Sequence, residues 1–224
     1  MAPFLFQRRT LWWPTWTGWL SLLAVIALPI LLWVFIGEAF LSRTVREPAD
    51  VLVVEGWIGS AGTRVAKREF ESGGYRYIVT SSGLSGENWN PRRWNYALEA
   101  EQQLLGSGIP RDRVMAAVPR DVETHRTFES AAAVWRTLQA RAIQPRSITV
   151  FTRGAHARRS RLVFARIFGS STPVGVISWM PTGAKTGAWW ESSQRAGDML
   201  KETVGYLFEL ILNSGRPSNS PREK

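Results

Sequence analysis

Five short apolar runs alternate with helical stretches between residues 50 and 179, and this alternation restricts the chain to a small set of folds. Asp50 is followed by Val51-Leu52-Val53-Val54, a run apolar at every position, as a strand buried on both faces of a parallel sheet must be. Glu55-Gly56-Trp57 ends it. A helix follows from Ser60 as N-cap to Glu71, with Gly73-Gly74 as its stop. Residues 75–80 form the second strand, ending in Ser81-Ser82-Gly83. Asn90-Pro91 occupies N-cap and N1 positions of a helix that runs to about Leu105. Residues 113–118 are the third strand. Residues 124–140 are helical, with Thr127, Ala131, Val134, Trp135 and Leu138 on one face. Residues 147–152 and 174–179 supply the fourth and fifth strands, and residues 189–212 a closing helix. Strands alternating with helices over connections of ordinary length predict a mainly parallel five-stranded sheet with helices on both faces. The strand order 3-2-1-4-5 is expected, which puts the switch point between the first and fourth strands, where open α/β sheets bind ligands.

The stretch around the fourth strand carries the densest chemistry. Ile148-Thr149-Val150-Phe151 is a buried strand, Gly154 breaks it, and a helix runs from Ala155. At about 100° per residue, Ser160, Val163, Phe164 and Ile167 share the face that packs on the sheet. His156 lies in that sector one turn earlier, above the carboxyl end of the strand. Arg159 flanks the face, and Arg158 and Arg161 point away from it. Cationic side chains near a helix N-terminus oppose its dipole, a conflict that a bound anion relieves.

Residues 18–41 contain about 19 to 20 nearly uninterrupted apolar positions, enough to cross a hydrocarbon core of ~30 Å. Trp12, Trp13, Trp16 and Trp19 precede the span as an interfacial belt would, and Pro29 at mid-span is tolerated there. The apolar core is too long for a signal peptide, and no small-x-small cleavage site follows it. Residues 18–41 are therefore expected to be a retained single-pass anchor, with residues 1–17 a juxtamembrane segment, residues 49–212 the α/β domain and residues 213–224 a polar, disordered tail. Arg8 and Arg9 precede the span, and Arg43 and Arg46 follow it. Acids count little in the positive-inside rule, so the two sides are nearly balanced; we read the N-terminus as inside and the domain beyond the membrane.

The 224-residue chain has no cysteine, which excludes disulfides, thiolate metal sites and cysteine nucleophiles. Its two histidines are too few for a histidine-rich metal cage, and no metal or other cofactor is expected. The net charge of +10 suits anionic partners, membrane surfaces or phosphorylated small molecules before nucleic acid, for which no aromatic-basic motif appears. Neither a dinucleotide fingerprint nor a P-loop is present.

The order of motifs resembles the YdcF/SanA/ElyC-like family of bacterial envelope proteins. The likeness covers about residues 49–212. It is carried by the apolar strand with Glu55-Gly56, the segment from Tyr75 to Gly83, Gly108-Ile109-Pro110, Arg126-Thr127-Phe128-Glu129-Ser130-Ala131, the segment from Thr152 to Ser160, and Trp189-Trp190. The resemblance implies a Rossmann-like three-layer α/β/α sandwich, often tethered to the inner membrane and facing the periplasm. It also implies a role in cell-wall or surface-polysaccharide biogenesis. Two places depart from the family pattern. The first strand ends Val54-Glu55-Gly56 rather than in a glycine-rich turn, and the second ends Ser81-Ser82-Gly83 rather than Ser-Gly-Gly.

Two functions from different classes follow. In the first, the domain acts as a hydrolase or transferase on an anionic, phosphorylated or lipid-linked envelope metabolite. Arg126, with Thr127 beside it, and Arg159 would clamp oxyanions. His156 would be the general acid or base, since an ordinary imidazole titrates near working pH. Glu55 would orient His156 or activate water, or would pair with an arginine as a plain strand-end carboxylate. Ser81, Ser82, Gly83 and Gly56 would bring donors or backbone up to the ligand. Asp121 and Glu123 are explained by the dipole of the helix they precede. No nucleophile elbow or triad spacing is present. Among candidate metal ligands only His156, Glu55 and Asp50 stand out. In the second function, a non-catalytic anchored domain binds such a ligand or docks to envelope synthesis machinery, with Trp57, Trp89, Trp94, Trp179, Trp189 and Trp190 as a stacking or membrane-facing rim; Trp135 reads as core filling.

Overall fold

The computed structural model describes residues 13–84, 94–120, 125–181 and 187–212. Expectations for Arg8, Arg9, Trp12, Trp89, Asn90-Pro91, Asp121, Glu123 and the tail from 213 fall outside these. The chain divides into two compact units, Met1–Gly37 and Glu38–Lys224. The first is dominated by α1 (Trp16–Leu41), whose last turn belongs to the second unit. At 1.5 Å per residue its 26 residues extend about 39 Å, and residues 16–37 carry no charged side chain. It is long and apolar enough to cross a membrane.

The second unit is built on a five-stranded sheet of order β3-β2-β1-β4-β5, the order expected from the sequence. Its strands are β1 (Val51–Glu55), β2 (Tyr77–Ser81), β3 (Val114–Ala117), β4 (Ile148–Arg153) and β5 (Val174–Trp179). Every neighbouring pair of strands is parallel. Alternate residues of β1 serve opposite layers. Val51 and Val53 pack with Ala131, Val134 and Leu138 of α4 (Arg126–Ala140) and Val163 and Phe164 of α5 (His156–Phe168). Leu52 and Val54 pack with Ala66 and Phe70 of α2 (Gly59–Ser72) and Leu104 of α3 (Tyr96–Gly106). A strand walled on both sides has no solvent face to mark with polar residues, which is why these runs are unbroken. The last helix, α6 (Ser193–Leu212), packs on α5.

Element ends differ locally from expectation. The first crossover opens with a 3-10 turn, Gly56–Ile58, and α2 starts at Gly59 with no side-chain cap, so Ser60 is inside the helix rather than its N-cap. The described part of α3 is capped by Asn95, whose Oδ1 accepts from the amides of Ala97 and Leu98 at 2.9 and 3.2 Å. A 3-10 turn, Trp189–Glu191, precedes α6 and separates the tryptophan pair from it. Arg158, turned from the sheet-packing face as expected, has its guanidinium 3.6 Å from the Phe40 ring centroid. Arg161 donates to the Val174 carbonyl at 2.8 Å.

Gly56 is required by packing. A Cβ there would sit 2.2 Å from the Tyr96 carbonyl oxygen, at the start of α3. Backbone on both sides leaves no flexible atom to give way, so Gly56→Ala is expected to cost about 1–3 kcal/mol of stability, read from urea unfolding of the full chain in detergent. Gly154 turns the chain between β4 and α5 at φ 54, a left-handed value that suits glycine.

Candidate functional site

Parallel strands end on the same side, so β1, β2 and β4 deliver Glu55, Ser81 and Arg153 to one edge of the sheet. Gly154 then aims α5 so that its first residue, His156, stands over the tip of β1. Glu55 is 2% exposed, and its carboxylate is held by three donors. Ser160 Oγ donates to Oε1 at 3.0 Å, Thr152 Oγ1 donates to Oε2, and His156 Nε2 lies 3.4 Å from Oε2. Of the alternatives the sequence left open for Glu55, the structure has it beside His156 rather than paired with an arginine, and Thr152 and Ser160 fasten it there.

On the other side of the imidazole stands a residue that sequence reasoning missed. Glu202 of α6, 5% exposed, places Oε1 3.0 Å from His156 Nδ1. It also receives Arg159 in a fork: Nε donates to Oε2 at 2.7 Å and Nη2 to Oε1 at 3.0 Å. Arg159 Nη1 donates to Thr127 Oγ1 at 3.0 Å, tying α4 into the same cluster. The recoverable signal was spacing. Glu202 and Glu209 stand seven residues apart on α6, as do Arg159 and Arg166 on α5, and Arg166 Nη1 meets Glu209 Oε2 at 3.3 Å. Two turns of helix bring such residues back to one face.

The buried group comprises two carboxylates, a guanidinium and an imidazole. Burial alone opposes charge on His156 and is the largest single influence on it. The carboxylates of Glu55 and Glu202 together outweigh it and push the imidazole from 6.5 to about 9. The same partners reverse the effect of burial on the acids: the Glu55 carboxyl is held below its ordinary value by His156, Thr152 and Ser160, and Glu202 well below it by His156 and Arg159. At neutral pH the cluster is therefore two anions interleaved with two cations. The two carboxylates thus favour the imidazolium over the imidazole expected to titrate near pH 7, and Arg159 Nη2, 3.0 Å from Nδ1, is the cation set against it.

These groups floor a cavity of about 890 Å³, lined also by Ser81, Ser82, Gly83, Arg126, Thr127 and Trp57. Arg126 is exposed and donates from Nη2 to the Leu84 carbonyl at 3.0 Å. Ser81 is turned to α4, its hydroxyl donating to the Ser130 carbonyl at 3.1 Å. Gly56 does not line the cavity, because its close neighbour is α3. The Trp57 ring meets the imidazole edge to face at 5.2 Å, with the Arg153 guanidinium 5.2 Å from the same ring. The first turns of α4 and α5 both border the cavity, and helix starts carry amides without intrahelical acceptors. His125, at φ 58, makes the turn into α4 and lines the cavity beside Phe208.

The other tryptophans divide between core and surface. Trp179 packs partly into the core layer under α2, Trp135 into the layer under α4, and Trp94 is half exposed. Asp50 is at the opposite end of β1 from Glu55, about 16 Å along the strand, and its carboxylate is held by Arg146. It cannot join Glu55 and His156 around a metal, and among the described residues no group of three or more His, Asp or Glu side chains is arranged to hold one. No protein-family model matches this chain, and no curated protein matches it.

Proposed function

We propose that the protein is a membrane-anchored member of the YdcF/SanA/ElyC-like group that binds, and acts on, an anionic metabolite of envelope biogenesis, phosphorylated or lipid-linked, at the strand tips. The observation that carries this reading is the convergence of two helix starts and Arg126 on one cavity whose floor is already charge-balanced. Because Glu55, His156, Glu202 and Arg159 neutralise one another, the positive ends of the two helix dipoles and Arg126 would have an anion as their natural complement. Arg126 would grip the oxyanion. Arg159, committed to Glu202 and Thr127, would hold the floor rather than the ligand, and His156 would have to turn Nε2 from its longer contact, Glu55 at 3.4 Å, to donate a proton to a departing oxygen. The domain would face the periplasm.

Binding without turnover is favoured by one observation: both oxygens of Glu55 are engaged, by Ser160 on one side and by Thr152 and His156 on the other, so that carboxylate has little capacity to activate water. Loss of His156 decides between the two. A catalytic donor is needed for turnover of a phosphate ester, whereas a positioning role alters binding and stability alone.

The binding reading is tested by thermal shift of the full chain in detergent with inorganic phosphate, pyrophosphate and a prenyl phosphate. At least one is expected to raise Tm, and Arg126→Ala to weaken that ligand by about 10- to 100-fold, the loss of a charge-assisted hydrogen bond of ~1.5–3 kcal/mol. If none of the anions shifts Tm, or Arg126→Ala binds as tightly as wild type, the anion site is wrong.

A further inference from the structure

Helix α6 is amphipathic in the wrong sense for a helix that covers a soluble domain. Its inner face carries Arg195, Met199, Glu202, Tyr206 and Glu209, where the ion pairs to α5 are made. Its outer face carries Leu200, Val204, Leu207 and Ile211, which recur at the spacing of one helical stripe and are 62%, 67%, 45% and 73% exposed. Leu210 and Leu212, 51% and 59% exposed, widen the stripe toward the C-terminus. Isolated exposed leucines need no explanation, but a continuous apolar stripe two turns and more in length does.

We propose that this face of α6 docks on the bilayer that holds the anchor, with Leu200, Val204, Leu207 and Ile211 in the boundary between headgroups and acyl chains. The inference rests on the anchoring part of the proposed function. Three observations select a membrane as the occupant. The last turn of α1 belongs to the α/β unit and is fastened to this same helix: Arg195 Nη2 donates to both Glu38 carboxylate oxygens at 2.8 Å, and Phe40 meets Tyr206 edge to face at 5.7 Å. The residues that directly follow the span in sequence, from Glu38 on, are thus held against α6, and tethering lets a modest apolar stripe suffice. Lys201 flanks the stripe, and Trp190, 46% exposed, precedes the helix; both are side chains that favour the interface of an anionic bilayer. Finally, residues 213–224, the segment nearest the stripe in sequence, contain no large apolar side chain with which to cover it. A stripe on one helix is also small for the ~1,600 Å² that a stable protein interface buries.

The absence of cysteine makes the test direct, since an introduced thiol is unique. Full-length Val204→Cys, Ile211→Cys and, at an exposed position of α2, Arg64→Cys are labelled with a solvent-sensitive fluorophore. Each is reconstituted into vesicles of phosphatidylethanolamine and phosphatidylglycerol, with or without a lipid carrying a quencher high on its acyl chain. Labels at 204 and 211 are expected to shift to the blue and to be quenched at least about twofold, while the label at 64 is not, as for an interfacial helix sunk into the headgroup boundary. In a second set, the Leu200→Glu/Ile211→Glu pair is expected to abolish quenching at a Val204→Cys label without releasing the protein from vesicles. Protein that floats with vesicles while the labels at 204 and 211 stay wet overturns docking and leaves the anchor intact. Protein that fails to float overturns the anchor, and docking with it. Concentration-dependent disulfide crosslinking between two copies of the unlabelled Val204→Cys chain, with no lipid quenching of the labelled one, makes a second copy the occupant and overturns the proposal.

Discussion

Glu202→Ala is expected to destabilise the α/β domain by about 3–5 kcal/mol, the usual consequence of deleting one member of a buried ionic cluster. Glu202 is the shared counter-ion of Arg159 and His156, and it is 5% exposed. Its removal leaves the guanidinium fork without an acceptor and takes one of two carboxylates from the imidazolium. Water cannot easily compensate at that depth, so the cost is desolvation that nothing offsets. For a domain of this size, about 2–4 °C per kcal/mol gives a fall in Tm of roughly 10 °C. The comparison that isolates the mechanism is Arg159→Met with Glu202→Leu, which removes the fork from both sides. That pair is expected to be more stable than Glu202→Ala alone, since no guanidinium is stranded, and the loss of Glu202 by His156 is common to both. Glu209 supplies an internal control. Its partner Arg166 has a side chain 30% exposed, against 15% for Arg159, so Glu209→Ala is expected to cost less than Glu202→Ala. A Glu202→Ala protein within about 1 kcal/mol of wild type would mean the cluster is hydrated and the ion pairs worth no more than surface ones.

The sheet was readable because its chemistry is local. Val51 to Val54 need no partner to identify them as a strand covered on both faces, and the alternation of strands with helices then implied a parallel sheet, for which 3-2-1-4-5 was the order expected. The placement of His156 and Ser160 was readable for the same reason: helical spacing turns both toward the strand tip, and Glu55 is the last residue of the neighbouring strand. What could not be read is which distant residue meets which. Spacing assigned Arg159 to the edge of a buried face but could not say that a carboxylate on α6 waits there, so an arginine consumed by Glu202 looked like an anion clamp. Gly56 fails in the same way. A glycine at a strand tip permits close approach, and the sequence does not distinguish a ligand from the Tyr96 carbonyl. Arg158 was placed only by the face it avoids, because its partner, Phe40, comes from the end of α1 rather than from a neighbouring turn. In α6 the large apolar residues Leu200, Val204, Leu207 and Ile211 lie on the face turned away from the domain, where the ordinary rule that apolar means inward does not apply.

Stability is expected to fall in alkaline solution well before the lysines titrate. The imidazole of His156 rises from 6.5 to about 9 on folding, so the folded chain holds this proton more tightly than the unfolded one. The resulting stabilisation is complete below about pH 6.5, declines as pH climbs through about 9 and is gone above it. At 1.36 kcal/mol per pKa step, it amounts to roughly 3 kcal/mol. The acids impose the opposite limit. Glu55 and Glu202 are both held below their ordinary value of 4.5, so their contribution is present above that pH and is lost as pH falls through the lowered values. Stability should therefore peak between about pH 5 and 6.5, with an alkaline limb that belongs to one side chain. His156→Asn should flatten that limb, and Glu202→Gln should move it to lower pH because only Glu55 then favours the imidazolium. Urea unfolding of the full chain across about pH 5–10 measures the limb. The chain has only two histidines, so NMR of the imidazole protons reads the titration of His156 directly. A midpoint below about 7 would return His156 to the ordinary range and make it a base at neutral pH. A midpoint near 9 confines it to proton donation, and any turnover that depends on it should then fail above that pH in step with the stability curve.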